Sequence, residues 1–309
     1  MLDPARDCWF LTGPTAAGKT AVGVELALRI GAEIVSMDSM ALYRGMDVGT
    51  AKPAADQRRA VPHHLIDILA PHEDFSLAAY LAAAKGAIEE ILSRSRAALL
   101  VGGTPLYLKG LLRGIFAGPK ADWQFRRDLD EQVRQFGPDW LHRRLAEVDP
   151  AAAARLHPND ARRLVRALEV FEKTGRPISD LQRQFDVGRA AHECRVFVLD
   201  WPRPELCERI DRRVDAMFAA GLVEEVRGLA AGPHALSRTA RQAVGYAEVL
   251  DHLQARYDLP ETIDRVKLHT RQLAKRQCTW FRSLSECRFV PVSGAVDPAA
   301  VAVGIVAAL

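Results

Sequence analysis

Little in this chain suggests a secreted, disulfide-held or membrane-embedded protein. The five cysteines (Cys8, Cys194, Cys207, Cys278 and Cys287) are scattered and include no C-x-x-C pair. That argues against a disulfide framework and against a zinc site, and it leaves reduced, mostly buried thiols. No stretch approaches the roughly 18 uninterrupted apolar residues that read as a membrane-spanning helix. The opening residues, MLDPARD, carry neither the basic region nor the apolar core of a secretion signal. A cytoplasmic protein with no membrane partner is therefore expected. Charge of one sign is scarce too: the net charge is +3 over 309 residues. A polyanionic partner would have to be met by local basic patches, not by a global field. Internal repeats and low-complexity tracts are absent beyond short alanine runs.

What the chain does have begins at residues 9–20, WFLTGPTAAGKT. A short apolar run leads into Gly13, Pro14, Thr15, Ala16, Ala17, Gly18, Lys19 and Thr20, and a helical pattern follows. This is G-x-x-x-x-G-K-[ST] in the context the motif requires, after a strand and before a helix. Glycines at both ends let the backbone curl so that several N–H groups point inward. The helix N-terminus adds its dipole, Lys19 a point charge for the outer phosphates, and the Thr20 hydroxyl a ligand for Mg²⁺. The motif predicts a diphosphate or triphosphate ligand without saying which, or where the chemistry falls.

Residues 20–30 space Val22, Leu26 and Ile30 four apart, an amphipathic helix ending at Gly31. Residues 33–36 read as a buried strand that delivers Asp38 and Ser39 at its carboxyl end. Ligands of open parallel α/β sheets sit beyond such ends, so Asp38 and the glycine loop should share one crevice. Residues 42–53 read as an ordered loop near the site. Residues 61–67 read as a short strand or extended connection; His63 and His64 are adjacent there and should point to opposite faces, which disfavours a shared metal. Ser76 caps a helix running to about residue 93, residues 98–101 form the next strand, and a helix covers 106–112 after Gly102, Gly103 and Thr104.

Between about 118 and 193 the β-runs vanish and an arginine-rich helical pattern takes over, an all-helical insertion. Strand character returns at 194–200. Helices are expected at 203–220, 223–231, 240–250 and 261–284, a last strand at 288–292, and a final helix reaching residue 309. The expected fold is α/β: a P-loop NTPase-like parallel sheet core flanked by helices, over residues 1–118 and 194–309, with the helical insertion at 119–193.

A small-molecule or nucleoside kinase is one reading of such a loop. Two features pull away from it. Asp38 looks like a group facing an acceptor, the alternative being an Asp that caps a helix or turn. Arg265, Lys267, Arg271, Lys275, Arg276 and Arg282 follow one another with no acid between them, close to Trp280 and Phe281. With the insertion's arginines this gives two basic surfaces suited to a large folded polyanion; each alone could be a solvated helix face.

Taken together, GPTAAGKT, DSMALYRGMDVGTAKP, VPHHLIDI, LVGGTPLYLKGLLRG, HPNDARRLVRALEVF, GRPISDLQ, RQAVGYAEVL and TRQLAKRQCTWFR closely resemble the tRNA dimethylallyltransferases, also called isopentenyltransferases. The resemblance runs over nearly the whole chain, roughly residues 7 to 292.

It implies transfer of a dimethylallyl group from dimethylallyl diphosphate to the exocyclic amine of the adenosine just 3′ of a tRNA anticodon. By that resemblance residues 13–20 hold the donor's diphosphate, with Mg²⁺ at Thr20. Thr15 contacts the bridging oxygen, and Arg213 reaches it from a later helix, unless Arg213 is only a surface partner of Asp211 or Glu208. Asp38 matches the general base. Asp38, Ser39, Met40, Ala41 and Thr104 correspond to the nucleotide-contacting positions, and Arg126, Arg162, Arg163, Leu164, Val165 and Arg166 to those on the tRNA loop. The expected partners are tRNA and dimethylallyl diphosphate, bound by a monomer. Ala41 stands where many members carry glutamine, and Pro105 where glycine or methionine is more usual. The eukaryotic members' C-terminal zinc finger is absent, so a bacterial-type enzyme is expected.

Overall fold

The computed structural model describes residues 2–116, 118–182 and 187–308. The chain divides into two compact units, Met1–Leu112 with Gly188–Leu309, and Arg113–Val187.

In the first unit six strands, β1 (Trp9–Thr12), β2 (Ala32–Ser36), β3 (His63–His64), β4 (Ala97–Val101), β5 (Val196–Asp200) and β6 (Cys287–Pro291), form one sheet in the order β3-β2-β4-β1-β5-β6. Every pairing is parallel, with Phe10 opposite both Leu100 and Val196. Parallel strands need crossovers, and helices supply them. After a short α1 (Pro4–Asp7) that precedes β1, the connecting helices before the insertion are α2 (Lys19–Ile30), α3 (Ala55–Ala60) and α4 (Leu77–Ser93), with α5 (Pro105–Arg113) following β4. Sheet strands covered on both faces read as continuous apolar runs, and β2, AEIVS, is buried at all five positions. One core packs Phe10, Val35, Ile88 and Leu100 on one side of the sheet; another packs Leu11, Leu26, Ile34 and Phe197 on the other. Burying each such side chain contributes about 1.5–3 kcal/mol.

The second unit is helical: α6 (Trp123–Phe136), α7 (Trp140–Val148), α8 (Pro150–Arg155), α9 (Ala161–Thr174) and α10 (Ile178–Leu181). Leu129, Leu141, Leu145, Leu164 and Leu168 form its own core. Asp122, Asp149 and Asp160 cap α6, α8 and α9 through their side chains, each cap contributing about 1 kcal/mol.

The chain returns to the first unit through α11 (Arg203–Ala219), α12 (Leu222–Ala230), α13 (Arg238–Arg241), α14 (Tyr246–Leu253), α15 (Leu259–Arg282) and α16 (Pro298–Ala307). A parallel sheet flanked by helices and carrying a helical insertion is thus what the sequence pattern led us to expect. Three details differ. Residues 240–250 are not one helix: α13 and α14 are separated by a turn in which Gly245 has φ of 93°, a conformation that interrupts a helix. Of residues 61–67 only His63 and His64 are strand. The final helix ends at Ala307, and residue 309 lies outside the described residues.

Candidate active site

The carboxyl ends of β1, β4, β2 and β3 open onto a crevice of about 500 Å³. Its floor is the glycine loop. Gly18 stands at φ of 88°, which an L side chain rarely adopts, and from there α2 starts. Ala16 is left-handed as well, at φ of 64°. Holding a non-glycine residue there is costly, and such strain persists only where surroundings enforce it. Here they do. Arg209 Nε donates to Ala16 O at 3.0 Å, Trp201 Nε1 donates to Ala17 O at 3.0 Å, and the Arg209 guanidinium lies 4.1 Å from the Trp201 ring centroid. From the opposite side Gln277 on α15 accepts from Thr15 N–H at 2.9 Å and donates to Gly103 O at 2.6 Å.

Lys19 Nζ donates to Gly13 O at 3.0 Å and to Pro14 O at 2.7 Å. Burial, reinforced by the Arg213 charge and opposed by Asp38, brings its pKa down to about 8. Burial likewise lowers the pKa of Arg213, again against the pull of Asp38. Arg213 does not pair with Asp211; Arg271 takes that carboxylate at 2.8 Å, and Arg213 Nη2 instead donates to Thr50 O at 3.4 Å. Among the described residues neither Lys19 nor Arg213 is in a salt bridge. Two partly buried cations thus face a crevice in which Asp38 is the carboxylate acting on both.

Asp38 follows β2 directly. One carboxylate oxygen accepts from Met40 N–H at 2.9 Å, so the side chain does stabilise its own turn while lining the crevice. Beside it, Ser39 N–H donates to Thr104 Oγ1 at 3.0 Å, tying the end of β2 to the end of β4. Thr15, Ala16, Ala17, Gly18, Lys19, Thr20, Asp38, Ser39, Met40, Ala41, Thr104 and Arg213 all line this space. Gly49, Thr50 and Lys52 line it too, from the loop expected near the site, as do Tyr246 and Gln277, to which the sequence reading gave no role. The signal for Gln277 was available, in the segment RQLAKRQCTWFR, but nothing in the sequence places that helix against the glycine loop.

The basic residues need correction. In α15, Arg265 pairs with Glu261, Lys267 with Asp215, Arg271 with Asp211 and Arg282 with Asp200, which leaves Lys275 and Arg276 as exposed cations of that run. In the helical unit, Arg126 and Arg166 both bind the fully buried carboxylate of Glu169. Leu164 is a core residue, its side chain inaccessible to any ligand. Arg162 and Arg163 are exposed on α9, Arg163 at 3.5 Å from Asp160.

Fold and crevice define a parallel α/β protein whose partly buried cations are gathered where its strands end. The IPP transferase family model matches residues 41–284 and the isopentenyl transferase model residues 6–67. The chain belongs to the IPP transferase family. It is 51% identical over 291 residues to the tRNA dimethylallyltransferase of Rhodopirellula baltica, covering 91% of this chain and 87% of the relative. The enzyme of the same name from Geobacter metallireducens is 48% identical, over 92% of both chains. Among solved structures, the full-length tRNA isopentenylpyrophosphate transferase of Bacillus halodurans superposes with a TM-score of 0.71 at 38% identity, over 98% of this chain and 95% of that one. A eukaryotic dimethylallyltransferase acting on tRNA gives 0.73 at 27% identity, over 92% and 73%.

Proposed function

We propose that this protein is a tRNA dimethylallyltransferase. It transfers the dimethylallyl group of dimethylallyl diphosphate to the exocyclic N6 amine of the adenosine 3′-adjacent to the anticodon and releases diphosphate. The observation that carries the reading, beside family membership, is one crevice holding a glycine loop with Lys19, the Arg213 cation and the Asp38 carboxylate.

The C–O bond of an allylic diphosphate breaks toward an allylic cation, and the departing charge collects on diphosphate oxygens. Backbone N–H groups of residues 13–20, the N-terminus of α2, Lys19 and Arg213 stabilise that charge in the P-loop manner. Thr15 sits at the bridging oxygen. An exocyclic adenine amine is a poor nucleophile because its lone pair is delocalised into the ring. Asp38 orients it and takes its proton as the C–N bond forms. The target base lies in a stacked anticodon loop and has to be extruded to reach this depth, where Ser39, Met40, Ala41 and Thr104 receive it.

Thr20 would hold Mg²⁺. Among the described residues no group of three His, Cys, Asp or Glu could hold a metal; a lone hydroxyl at the helix start fits an ion that keeps its waters and binds chiefly through substrate phosphates. When bound, the ion adds positive charge at the leaving diphosphate. The helical unit contacts tRNA through Arg162 and Arg163, with Val165 beside them. Arg126 and Arg166, which share the single Glu169 carboxylate, serve mainly to fix that surface. Among the described residues no helix is long and apolar enough to cross a membrane. We place the protein in the cytoplasm, with its tRNA, acting as a monomer.

The test is incubation with tRNA and either labelled dimethylallyl diphosphate or labelled ATP. Label from the prenyl donor should appear in one adenosine of the anticodon loop. Transfer from ATP alone would point to the kinase reading instead.

A further inference from the structure

Residues 47–53 form one wall of the crevice, yet they contain no helix or strand to satisfy their backbone. The N–H groups of Asp47, Val48 and Gly49 all turn the same way, onto a single carboxylate. Glu225, on α12, accepts from Asp47 N–H at 2.8 Å and Val48 N–H at 2.7 Å through Oε2, and from Gly49 N–H at 3.1 Å through Oε1. Three successive amides aimed at one anion make a backbone nest. The same Oε1 accepts a fourth bond, from Tyr246 Oη at 2.6 Å. Tyr246 opens α14 just after the 242–245 turn, so one side chain joins two crevice walls from separate parts of the chain. The fit leaves no slack: a Cβ on Gly49 would come within 2.5 Å of the Tyr246 ring. Lys52, 3% exposed, clamps the far end of the wall through Tyr43 O, Asp47 and Asp67.

The next residue, Thr50, supplies the carbonyl to which Arg213 Nη2 donates. Arg213 is partly buried and, among the described residues, has no carboxylate within salt-bridge distance. Its guanidinium is therefore oriented by a backbone oxygen whose own position depends on the nest one residue earlier.

We propose that Glu225 is a positioning residue for the transfer reaction: by holding the amides of residues 47–49 together with Tyr246, it sets the Thr50 carbonyl and so aims Arg213 at the leaving diphosphate. Glu225 itself holds the wall from behind and does not line the crevice. The inference rests on the transferase reading for Arg213, but its structural half does not, and the two can be tested apart.

The first readout is hydrogen exchange in the unliganded protein. In Glu225→Gln an amide replaces the charged acceptor. Charge-assisted bonds of this kind contribute about 1.5–3 kcal/mol, so protection at Asp47, Val48 and Gly49 should fall by about tenfold or more while the strands β1, β2 and β4 keep theirs. The second readout is a double-mutant cycle in prenyl transfer. Glu225→Gln should lower kcat about tenfold in the wild-type background and less than about twofold in an Arg213→Ala background, because its effect passes through Arg213. Tyr246→Phe, which removes one of the four donors, should move both readouts the same way by a smaller factor. Equal kcat losses in the two backgrounds would make Glu225 a general stabiliser and overturn the proposal. So would reduced amide protection with kcat unchanged. Absence of prenyl transfer by the wild-type protein would instead bring down the reading beneath it.

Discussion

In the proposed reaction Asp38 and Lys19 carry most of the chemistry, and each was readable in the sequence for a different reason. Lys19 sits in a motif whose spacing is dictated by the shape of a phosphate group. Asp38 follows from topology, since a polar residue just past a buried strand faces the crevice of a parallel sheet. Replacing Asp38 with Ala should abolish prenyl transfer and leave tRNA affinity within a few fold, checked by single-turnover kinetics and a binding titration. Gln277 was not readable, because its role depends on α15 packing beside the glycine loop, across 262 residues of sequence. Gln277→Leu leaves the Thr15 N–H and the Gly103 carbonyl without this partner, and a loss of about 1–3 kcal/mol in denaturant unfolding is expected. For Arg213 the family resemblance points to the diphosphate, and sequence proximity to Asp211 or Glu208 leaves a surface pair as the alternative; the helix turns Asp211 toward Arg271 and leaves Arg213 partly buried at the crevice.

At the scale of elements, strands and most helices were legible because burial on both faces and a helical period leave plain patterns. The break between α13 and α14 was not, since AVGYAEVL keeps an apolar rhythm across Gly245 and only the left-handed glycine marks the stop. Charge partners were the least legible. The insertion's arginines look like one basic surface in sequence, whereas α6 and α9 cross so that Arg126 and Arg166 converge on Glu169. Burial works to raise the pKa of Glu169, but bonds from Arg126, the Asp122 amide and Arg166 prevail and hold it below the usual carboxylate value. A depressed carboxylate stabilises the fold above its unfolded pKa, and that contribution is lost as pH falls through the folded one. The helical unit should therefore lose stability on acidification below about pH 4.3. Glu169→Gln should flatten that acid slope and cost roughly 3 kcal/mol at neutral pH, because it strands two partly buried guanidinium groups. Circular dichroism melts across pH 3 to 7 would check both.

For the whole molecule, a net charge of +3 leaves RNA binding to local patches. Arg162 on α9, and Lys275 and Arg276 on α15, are exposed cations outside the ion pairs of those helices, and Arg163 is exposed beside them in a pair with Asp160 at 3.5 Å. Each phosphate interaction removed should reduce the slope of log affinity against log salt by roughly 0.7–0.9. Arg162→Ala with Arg163→Ala should lower the tRNA slope accordingly without altering the affinity for dimethylallyl diphosphate; an unchanged slope would remove α9 from the interface. The central claim is that a glycine loop holds the leaving diphosphate while the carboxylate just past β2, separated from that loop's strand by β4, meets the RNA amine. It is tested most directly by a structure with an unreactive thio analogue of the prenyl donor and an anticodon stem-loop. We predict the diphosphate on residues 13–20 and the adenosine amine within about 3 Å of the Asp38 carboxylate. An amine held elsewhere, with Asp38 still bound only to its own turn, would contradict the account.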